Sequence, residues 1–239
     1  MTCVSVLPGA DPRQVTDGNM AIKALGDTHG ATITSEDEVR IDAILSFWFE
    51  QKELSAPQID ARMDTWFGEN PVFDEEIRQA FMNDVEQASA GELDHWTKTP
   101  HGRLALILLL DQFRRNIYRG LAEAYEQDPK ALKLCVEGAM RKGDKGLTPI
   151  QRVFFYMPLQ HAESRKVQAK SVDIYNRLAE AVSPTLTETF LTVAQFAELH
   201  RDIIEQFGRF PHRNRVLGRE NTAEEEAYLE GGAESFGQG

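Results

Sequence analysis

Three polar clusters interrupt the apolar patterning of the sequence, and they contain the residues best suited to chemistry. The first is LLLDQFRRNIYRG, residues 108–120, in which Asp111 and Arg115 are four positions apart and share one face of a helix. If this pair is buried, its two charges must neutralise each other. The pair could then be a structural ion pair at the end of a core helix. Alternatively, Asp111 could hold Arg115 as a receptor for an anion, with Asn116 as a second ligand contact.

The second cluster, FFYMPLQHAESRKVQ at residues 154–168, contains His161 and Glu163. Two positions apart on a helix, their side chains would point about 200° apart, so they could not bind one metal ion together. They could bond to different neighbours as structural polar groups. They could instead act in catalysis, with His161 or His200 as the proton carrier. Glu163 or Asp111 would then orient the imidazole.

The third cluster, HRDIIEQFGRFPHRNRVLGR at residues 200–219, has five Arg and no Lys. Arg binds carboxylate and phosphate groups through two parallel hydrogen bonds, which Lys cannot do. A helix expected to start at Pro211 would direct free backbone N–H groups toward the same ligand. The candidate ligand contacts are Arg209, His212, Arg213 and Asn214. Alternatively, these Arg residues clamp carboxylates and helix ends, which would fix the terminal helices to the body of the protein.

The sequence contains none of the common catalytic signatures. It has no G-x-S-x-G elbow, no phosphate loop, no G-x-G-x-x-G and no H-E-x-x-H. A metal site assembled from His161, His200 and His212 has no support from ligand spacing. We therefore expect neither a metal ion nor another cofactor.

The composition limits the classes of function. The 239 residues carry a formal net charge of −12, which disfavours binding to nucleic acid or to anionic membranes. The longest apolar run, residues 104–110, is too short to cross a bilayer. Cys3 and Cys135 are the only cysteines, so neither a disulfide framework nor a cysteine zinc site is expected. Because no secretion signal is visible, we expect a cytoplasmic protein.

Helical periodicity extends over most of the chain, and no segment alternates as a strand would. Residues 1–34 lack apolar periodicity and are expected to form a flexible N-terminal extension. Residues 35–239 are expected to form a single all-helical domain. Ser35 and Glu38 have the spacing of a capping box for the first helix. The short connections between helices predict an all-α, tetratricopeptide-like array of antiparallel helical hairpins.

Particular residues mark the remaining elements. Residues 104–118 are apolar on nearly all sides, so we expect this helix to be the central buried element. Asp128 and Pro129 are expected to begin a later helix as its cap and first-turn residue. Pro149 should start another helix, which Pro158 should kink or break.

The three clusters together resemble a known protein family. The matching segments are FWF (47–49), WFG (66–68), GRLALILLLDQFRRNIYRG (102–120), MPLQHAES (157–164) and FGRFPHRNRVLGR (207–219). From about Ile44 to Leu229 the chain is similar to a bacterial family catalogued as domain-of-unknown-function family 924. The resemblance implies a tetratricopeptide-like helical fold and assigns no activity. The family usually has Pro before the Arg-Asn of the first cluster, where this chain has Arg114.

Two functional hypotheses follow from these residues. One is a binding protein whose Arg- and His-lined pocket holds a small anionic molecule or an acidic peptide. The alternative is an enzyme that uses His and carboxylate groups for general acid–base chemistry on an anionic small molecule. The enzyme requires a histidine and a carboxylate within hydrogen-bond reach beside an Arg. A purely architectural role would leave no pocket.

Overall fold

The computed structural model describes residues 32–237 and consists of helices and their connections, with no strand in that range. The all-α fold predicted from periodicity is therefore confirmed. The α-helices are α1 (Ser35–Phe49), α2 (Ala56–Phe67), α3 (Pro71–Ala90), α4 (Pro100–Ile107), α5 (Arg114–Ile117), α6 (Asp128–Met140), α7 (Pro149–Gln160), α8 (Arg165–Ala181), α9 (Thr187–Phe207) and α10 (Ala223–Glu230). Most of the predicted N-terminal extension, residues 1–34, lies outside the described residues, as does Cys3.

α4, a π-helical segment (Leu108–Phe113) and α5 follow one another without interruption, and we refer to them together as the central helix. Thr99 caps its start, because its side-chain oxygen accepts a hydrogen bond from the Gly102 N–H at 3.1 Å. Every side chain from Leu104 to Leu110 is fully buried, and α1, α3, α6 and α7 pack around the helix. The prediction of a central buried helix is therefore confirmed.

The cap of α1 is displaced by one residue from its predicted position. Thr34 Oγ1 accepts a hydrogen bond from the Asp37 N–H at 3.1 Å, and the Asp37 carboxylate accepts one from the Thr34 N–H at 2.8 Å. Ser35 and Glu38 lie within the helix, so the predicted register was wrong. Both pairs have the spacing of a capping box, and Trp96 favours the observed one by donating to Asp37 Oδ1 at 2.7 Å.

Pro158 lies inside α7 and does not break it, so of the two predicted effects, a kink or a break, the break does not occur. The helix continues to Gln160, and α8 begins at Arg165. The missing N–H of Pro158 affects only the last turn, where the cost to the helix is small. His161 and Glu163 consequently lie on the connection between two helices, and the angular separation expected for them on a helix does not apply.

α6 begins at Asp128 with Pro129 in its first turn, as predicted, but the Asp128 side chain makes no capping hydrogen bond. Its carboxylate is free to pair with arginines instead. Further along α6, a Cβ at Gly138 would lie 2.5 Å from Arg103 Cδ and 2.7 Å from Phe155 Cζ. Glycine therefore permits the close packing that holds α6 beside the central helix.

α6 packs against α7, α7 against α8 and α8 against α9, and α8 and α9 form the most extensive pair. The short connections between them fit the expected antiparallel hairpins. α2 also packs against α9, so helices distant in sequence meet. Within residues 32–237, no helix combines the length and the apolar character needed to span a bilayer.

Candidate functional site

A cavity of about 340 Å³ lies between α2, α9, the end of the central helix and the segments that follow α7 and α9. Its apolar lining includes Met63, Trp66, Phe67, Met157, Val193, Phe196 and Phe236. Its polar lining includes residues from all three clusters identified in the sequence. The volume falls within the range of about 300–1,000 Å³ that is usual for small-molecule sites.

Asp111 lies in the π-helical segment, and its side chain is completely buried. Its Oδ1 accepts a hydrogen bond from Arg115 Nη1 at 3.1 Å, and the same nitrogen donates to the Asp111 carbonyl oxygen at 2.8 Å. Gln112 donates to the other carboxylate oxygen. Burial alone would raise the pKa of Asp111, but the charge of Arg115, the adjacent His161 and the hydrogen bond from Gln112 hold it well below its usual value. Asp111 is therefore ionised at neutral pH.

Asp128 links Arg115 to Arg213. Its Oδ2 accepts hydrogen bonds from Arg115 Nη2 at 3.0 Å and from Arg213 Nη1 at 3.2 Å. The guanidinium carbon of Arg213 also lies 4.6 Å from the ring centroid of Tyr125 and 4.4 Å from that of Phe210. The two arginines are thus fixed in position and matched by two carboxylates.

His161 follows the last residue of α7, and its Nδ1 is 2.7 Å from Asp111 Oδ1. Because the carboxylate is ionised, Nδ1 carries the proton and donates it to this hydrogen bond. Burial lowers the pKa of His161, and the nearby charge of Arg115 lowers it further, against the opposing effect of Asp111. The imidazole is therefore uncharged at neutral pH, with an unprotonated Nε2 on a residue that lines the cavity.

His200 and His212 also line the cavity. His200 Nδ1 donates to the Phe196 carbonyl oxygen at 2.7 Å, and its ring centroid is 6.0 Å from that of His161. Burial lowers the pKa of His200 well below its usual value and the pKa of His212 to about 3, so both are uncharged at neutral pH. Among residues 32–237, His212 Nδ1 and Arg213 Nε are buried without a hydrogen-bond partner.

Asn116 and Arg119 extend the polar lining along the end of the central helix. Asn116 Nδ2 donates to Asp74 Oδ1 at 2.7 Å, and Arg119 forms two hydrogen bonds to the same carboxylate, at 2.7 and 2.8 Å. Asp74, from the first turn of α3, therefore fixes both side chains.

The structure does not bring Asp111, Glu163, Arg209 or Asn214 to the cavity lining, although they were predicted beside the other candidates; Asp111 lies buried behind Arg115 and His161. Glu163 pairs with Arg219 at 2.7 Å, and Arg209 pairs with Glu225 at 2.6 Å. Asn214 Oδ1 accepts a hydrogen bond from Arg219 Nε at 2.8 Å. These contacts attach the segment after α9 to its neighbours. For Arg209 this is the structural alternative given in the sequence analysis, in which the Arg residues clamp carboxylates.

In the part of the chain that the structure describes, no group of three or more His, Cys, Asp or Glu side chains is placed to hold a metal ion. His161 and His200 each use Nδ1 in a hydrogen bond to Asp111 and to a backbone carbonyl, respectively. The ring of Phe236 lies against His200, with 3.9 Å between ring centroids.

Sequence reasoning missed several residues of the site. The sequence predicts Asp128 as a helix cap, and no sequence signal distinguishes a capping carboxylate from one that binds two arginines. Arg119 could have been found, because it follows Arg115 by one further helical step of four residues. Trp66, from the WFG segment, is buried to 5% exposure and also forms part of the cavity wall, and no sequence signal separates these two roles for an aromatic residue on a helix.

The fold and the site define an all-helical protein in which a buried network of arginines and carboxylates borders an amphipathic cavity. The chain belongs to the family described as bacterial protein of unknown function (DUF924), whose model matches residues 44–233. This match confirms the resemblance seen in the sequence motifs. It includes the whole polar network between Asp111 and Arg213. No curated protein matches the sequence.

One solved structure, that of the protein of unknown function ATU0120 from Agrobacterium tumefaciens, is similar to this chain with a TM-score of 0.68 and 37% sequence identity. The similarity covers 81% of this chain and 98% of that one. Nearly the whole of that protein therefore shares the fold, and its title assigns no activity.

Replacing Asp111 by Asn is expected to lower the free energy of unfolding by about 3 kcal/mol, because Arg115 would stay buried without one of its two carboxylate partners. Urea unfolding monitored by circular dichroism measures the loss. Asp173→Asn is the matched control, since Asp173 and Arg177 have the same four-residue spacing but are exposed. Its stability should be almost unchanged, and equal losses in the two variants would contradict the account.

Two uncharged histidines of the cavity, His200 and His212, predict that stability falls as the pH is lowered from about 7 to about 5. In the unfolded chain each titrates near its ordinary pKa of about 6.5 and takes up a proton that the folded protein excludes. Each therefore contributes a slope that approaches about 1.4 kcal/mol per pH unit. Urea unfolding across this range should show a shallower slope in His212→Gln, and an unchanged slope would be inconsistent with a buried neutral His212.

Proposed function

We propose that the protein is a binding protein that holds a small organic acid in this cavity. The proposal rests on one observation above all: Arg115, Arg119 and Arg213 line the same cavity as a group of apolar side chains. Guanidinium groups bind carboxylates through charge-assisted hydrogen bonds. A ligand carboxylate in the cavity would accept such a hydrogen bond from Arg213, while the apolar part of the ligand contacts the apolar side chains.

The rest of the lining supports a ligand with an apolar body. The side chains of Met63, Trp66, Phe67 and Phe196 offer an apolar surface within the same cavity. A site of this kind commonly combines apolar walls with a few polar groups that fix the orientation of the ligand. The volume of about 340 Å³ favours a small molecule over an acidic peptide, which was the other expected ligand.

The charge balance of the site bears on how such a ligand would bind. Arg115 and Arg213 are already matched by Asp111 and Asp128, so the polar end has little net charge. Binding would therefore depend on directed hydrogen bonds and apolar contact more than on long-range attraction. We expect the affinity to change little with ionic strength, because screening acts mainly on exposed, unbalanced charges.

A cytoplasmic location is part of the proposal. Cys135 is a free, fully buried thiol. Burial raises its pKa, which keeps it protonated and unreactive. A free structural thiol fits a reducing compartment.

Isothermal titration calorimetry with acetate, octanoate and phenylacetate tests the proposal. The two larger acids should bind more tightly than acetate because they bury more apolar surface. Arg213→Lys should weaken phenylacetate binding by about tenfold, which corresponds to about 1.4 kcal/mol for a lost charge-assisted hydrogen bond.

Arg209→Lys is the matched control for this measurement, because Arg209 lies on the same segment but pairs with Glu225 outside the cavity lining. It should bind phenylacetate as the unaltered protein does. The proposal fails if none of the acids binds, or if the two Lys variants have the same affinity.

A second candidate function, that of an enzyme, is favoured by the hydrogen bond between His161 and Asp111. An uncharged imidazole with its Nδ1 proton held by a carboxylate is the arrangement of a general base, in which Nε2 accepts a proton. The guanidinium group of Arg115, bonded to the same carboxylate, lies beside it and could stabilise developing negative charge. This is the juxtaposition that the enzyme hypothesis requires.

Hydrolysis of p-nitrophenyl acetate probes this capacity. His161 Nε2 would take a proton from water as the water oxygen bonds to the acyl carbon and p-nitrophenolate leaves. His161→Gln should then lower the rate by about a hundredfold, the lower end of typical general-base contributions. His101→Gln, outside the cavity lining, is the control and should react as the unaltered protein does. Equal rates in all three proteins would rule out His161 as a base for this reaction.

A further inference from the structure

After α10 the chain returns to the mouth of the cavity. Gly232, with φ +83°, lies just after the helix, and the residues beyond it form no regular structure. Glu234, Phe236 and Gly237 then contribute to the cavity lining. We refer to residues 234–237 as the strap.

The ring of Phe236 occupies an aromatic niche. It stacks on His200 with 3.9 Å between centroids and 23° between planes. It meets His212 edge-on at 5.6 Å and Phe210 edge-on at 6.3 Å. Because both histidines are uncharged, they pack against Phe236 as neutral aromatic rings, as Phe210 does. The niche therefore fits a planar aromatic group, which the chain itself provides.

The strap also uses one of the cationic groups of the cavity. The Gly237 carbonyl oxygen accepts a hydrogen bond from Arg119 Nη1. A Cβ at Gly237 would lie 2.6 Å from the Phe67 carbonyl oxygen, and its φ of +68° also favours glycine. The chain thus places an aromatic ring and, one residue later, an oxygen acceptor against the same cavity.

The attachment of the strap is slight compared with that of the preceding helix. α10 is joined to the segment after α9 by the ion pair of Arg209 with buried Glu225. The strap is partly exposed, and Phe236 has φ +51°, a conformation that residues other than glycine rarely adopt. The strap could therefore leave the cavity while the helices remain in place.

We propose that the strap is an internal competitor for the ligand of the cavity, and that the ligand is an aromatic organic acid. The competition rests on the proposed function, and it specifies the class of ligand and how access to the same site is regulated. The ring of the ligand replaces Phe236 in the niche of His200, Phe210 and His212. Its carboxylate is bound by Arg213, which stacks on Phe210, while Arg119 is released from the strap.

Calorimetric titration with phenylacetate tests the competition. If the strap fills the niche for about nine-tenths of the time, its removal tightens binding by about tenfold, since the apparent dissociation constant scales with the competent fraction. A variant ending at Ala233 and the variant Phe236→Ala should both show this gain. Phe236→Ala should increase the affinity for octanoate, which has no ring, less than it increases the affinity for phenylacetate.

Gly237→Val provides a gentler release of the strap, because it keeps Phe236 but collides with the Phe67 carbonyl. Gly146→Val is its matched control, since Gly146 has φ +90° but no atom within 4 Å of an added Cβ. Only the first variant should bind phenylacetate more tightly. Unchanged or weaker binding in the variants that release the strap would overturn the proposal and make the strap a wall of the site.

The position of the strap can also be measured without a ligand. Stacking on Phe236 should displace the proton resonances of the His200 imidazole, assigned by comparison with His200→Gln, and Phe236→Ala should remove that displacement. If the His200 resonances are the same in Phe236→Ala as in the unaltered protein, the proposal is overturned, whatever the titrations give. If the resonance moves but no acid binds any variant, the proposed function fails, and with it the competition. If acids bind with the expected Arg213 dependence but equally in all strap variants, only the strap proposal fails.

Discussion

The arrangement of the site depends on a single buried carboxylate. Asp111 is completely buried and directly follows the apolar run Leu104–Leu110 of the central helix, where an ionised group is tolerated only if it is compensated. Arg115 and His161 provide that compensation through direct hydrogen bonds. Arg115 in turn needs a second carboxylate, Asp128, and Asp128 holds Arg213. One buried charge thereby fixes the positions of the central helix, α6, the end of α7 and the segment after α9.

This network of buried ion pairs explains why the cavity has both polar and apolar lining. The same helices that bury Asp111 leave a space beside it, which α2 and α9 close with apolar side chains. Since the ion pairs satisfy most of the charge, the proposed ligand would meet a small set of oriented groups, among them Arg213, His212 and Nε2 of His161. Such groups select a ligand by geometry rather than by net charge. The strap fits this picture, because an aromatic ring and a carbonyl oxygen suffice to occupy part of the site.

Much of the fold could be predicted from the sequence, because helix periodicity and cap residues are local signals. The central helix and the starts of α6 and α7 follow from such patterns. The convergence of the polar clusters on one cavity is a tertiary property that spacing alone does not determine. Glu163 and Arg209 resemble the true cavity residues in type and neighbourhood, yet each has a closer partner of opposite charge elsewhere. The strap contributes through backbone atoms and one ring, for which no motif exists.

The most direct test of the central claim is the protonation state of His161, measured by ¹⁵N nuclear magnetic resonance of the imidazole nitrogens at neutral pH. If ionised Asp111 organises the site, Nδ1 must resonate as a protonated nitrogen and Nε2 as an unprotonated one, and Asp111→Asn must alter this pattern. A doubly protonated ring, or a proton on Nε2 alone, would contradict the account. Asp111 would then not hold the Nδ1 proton, and His161 would have no free acceptor to offer the cavity.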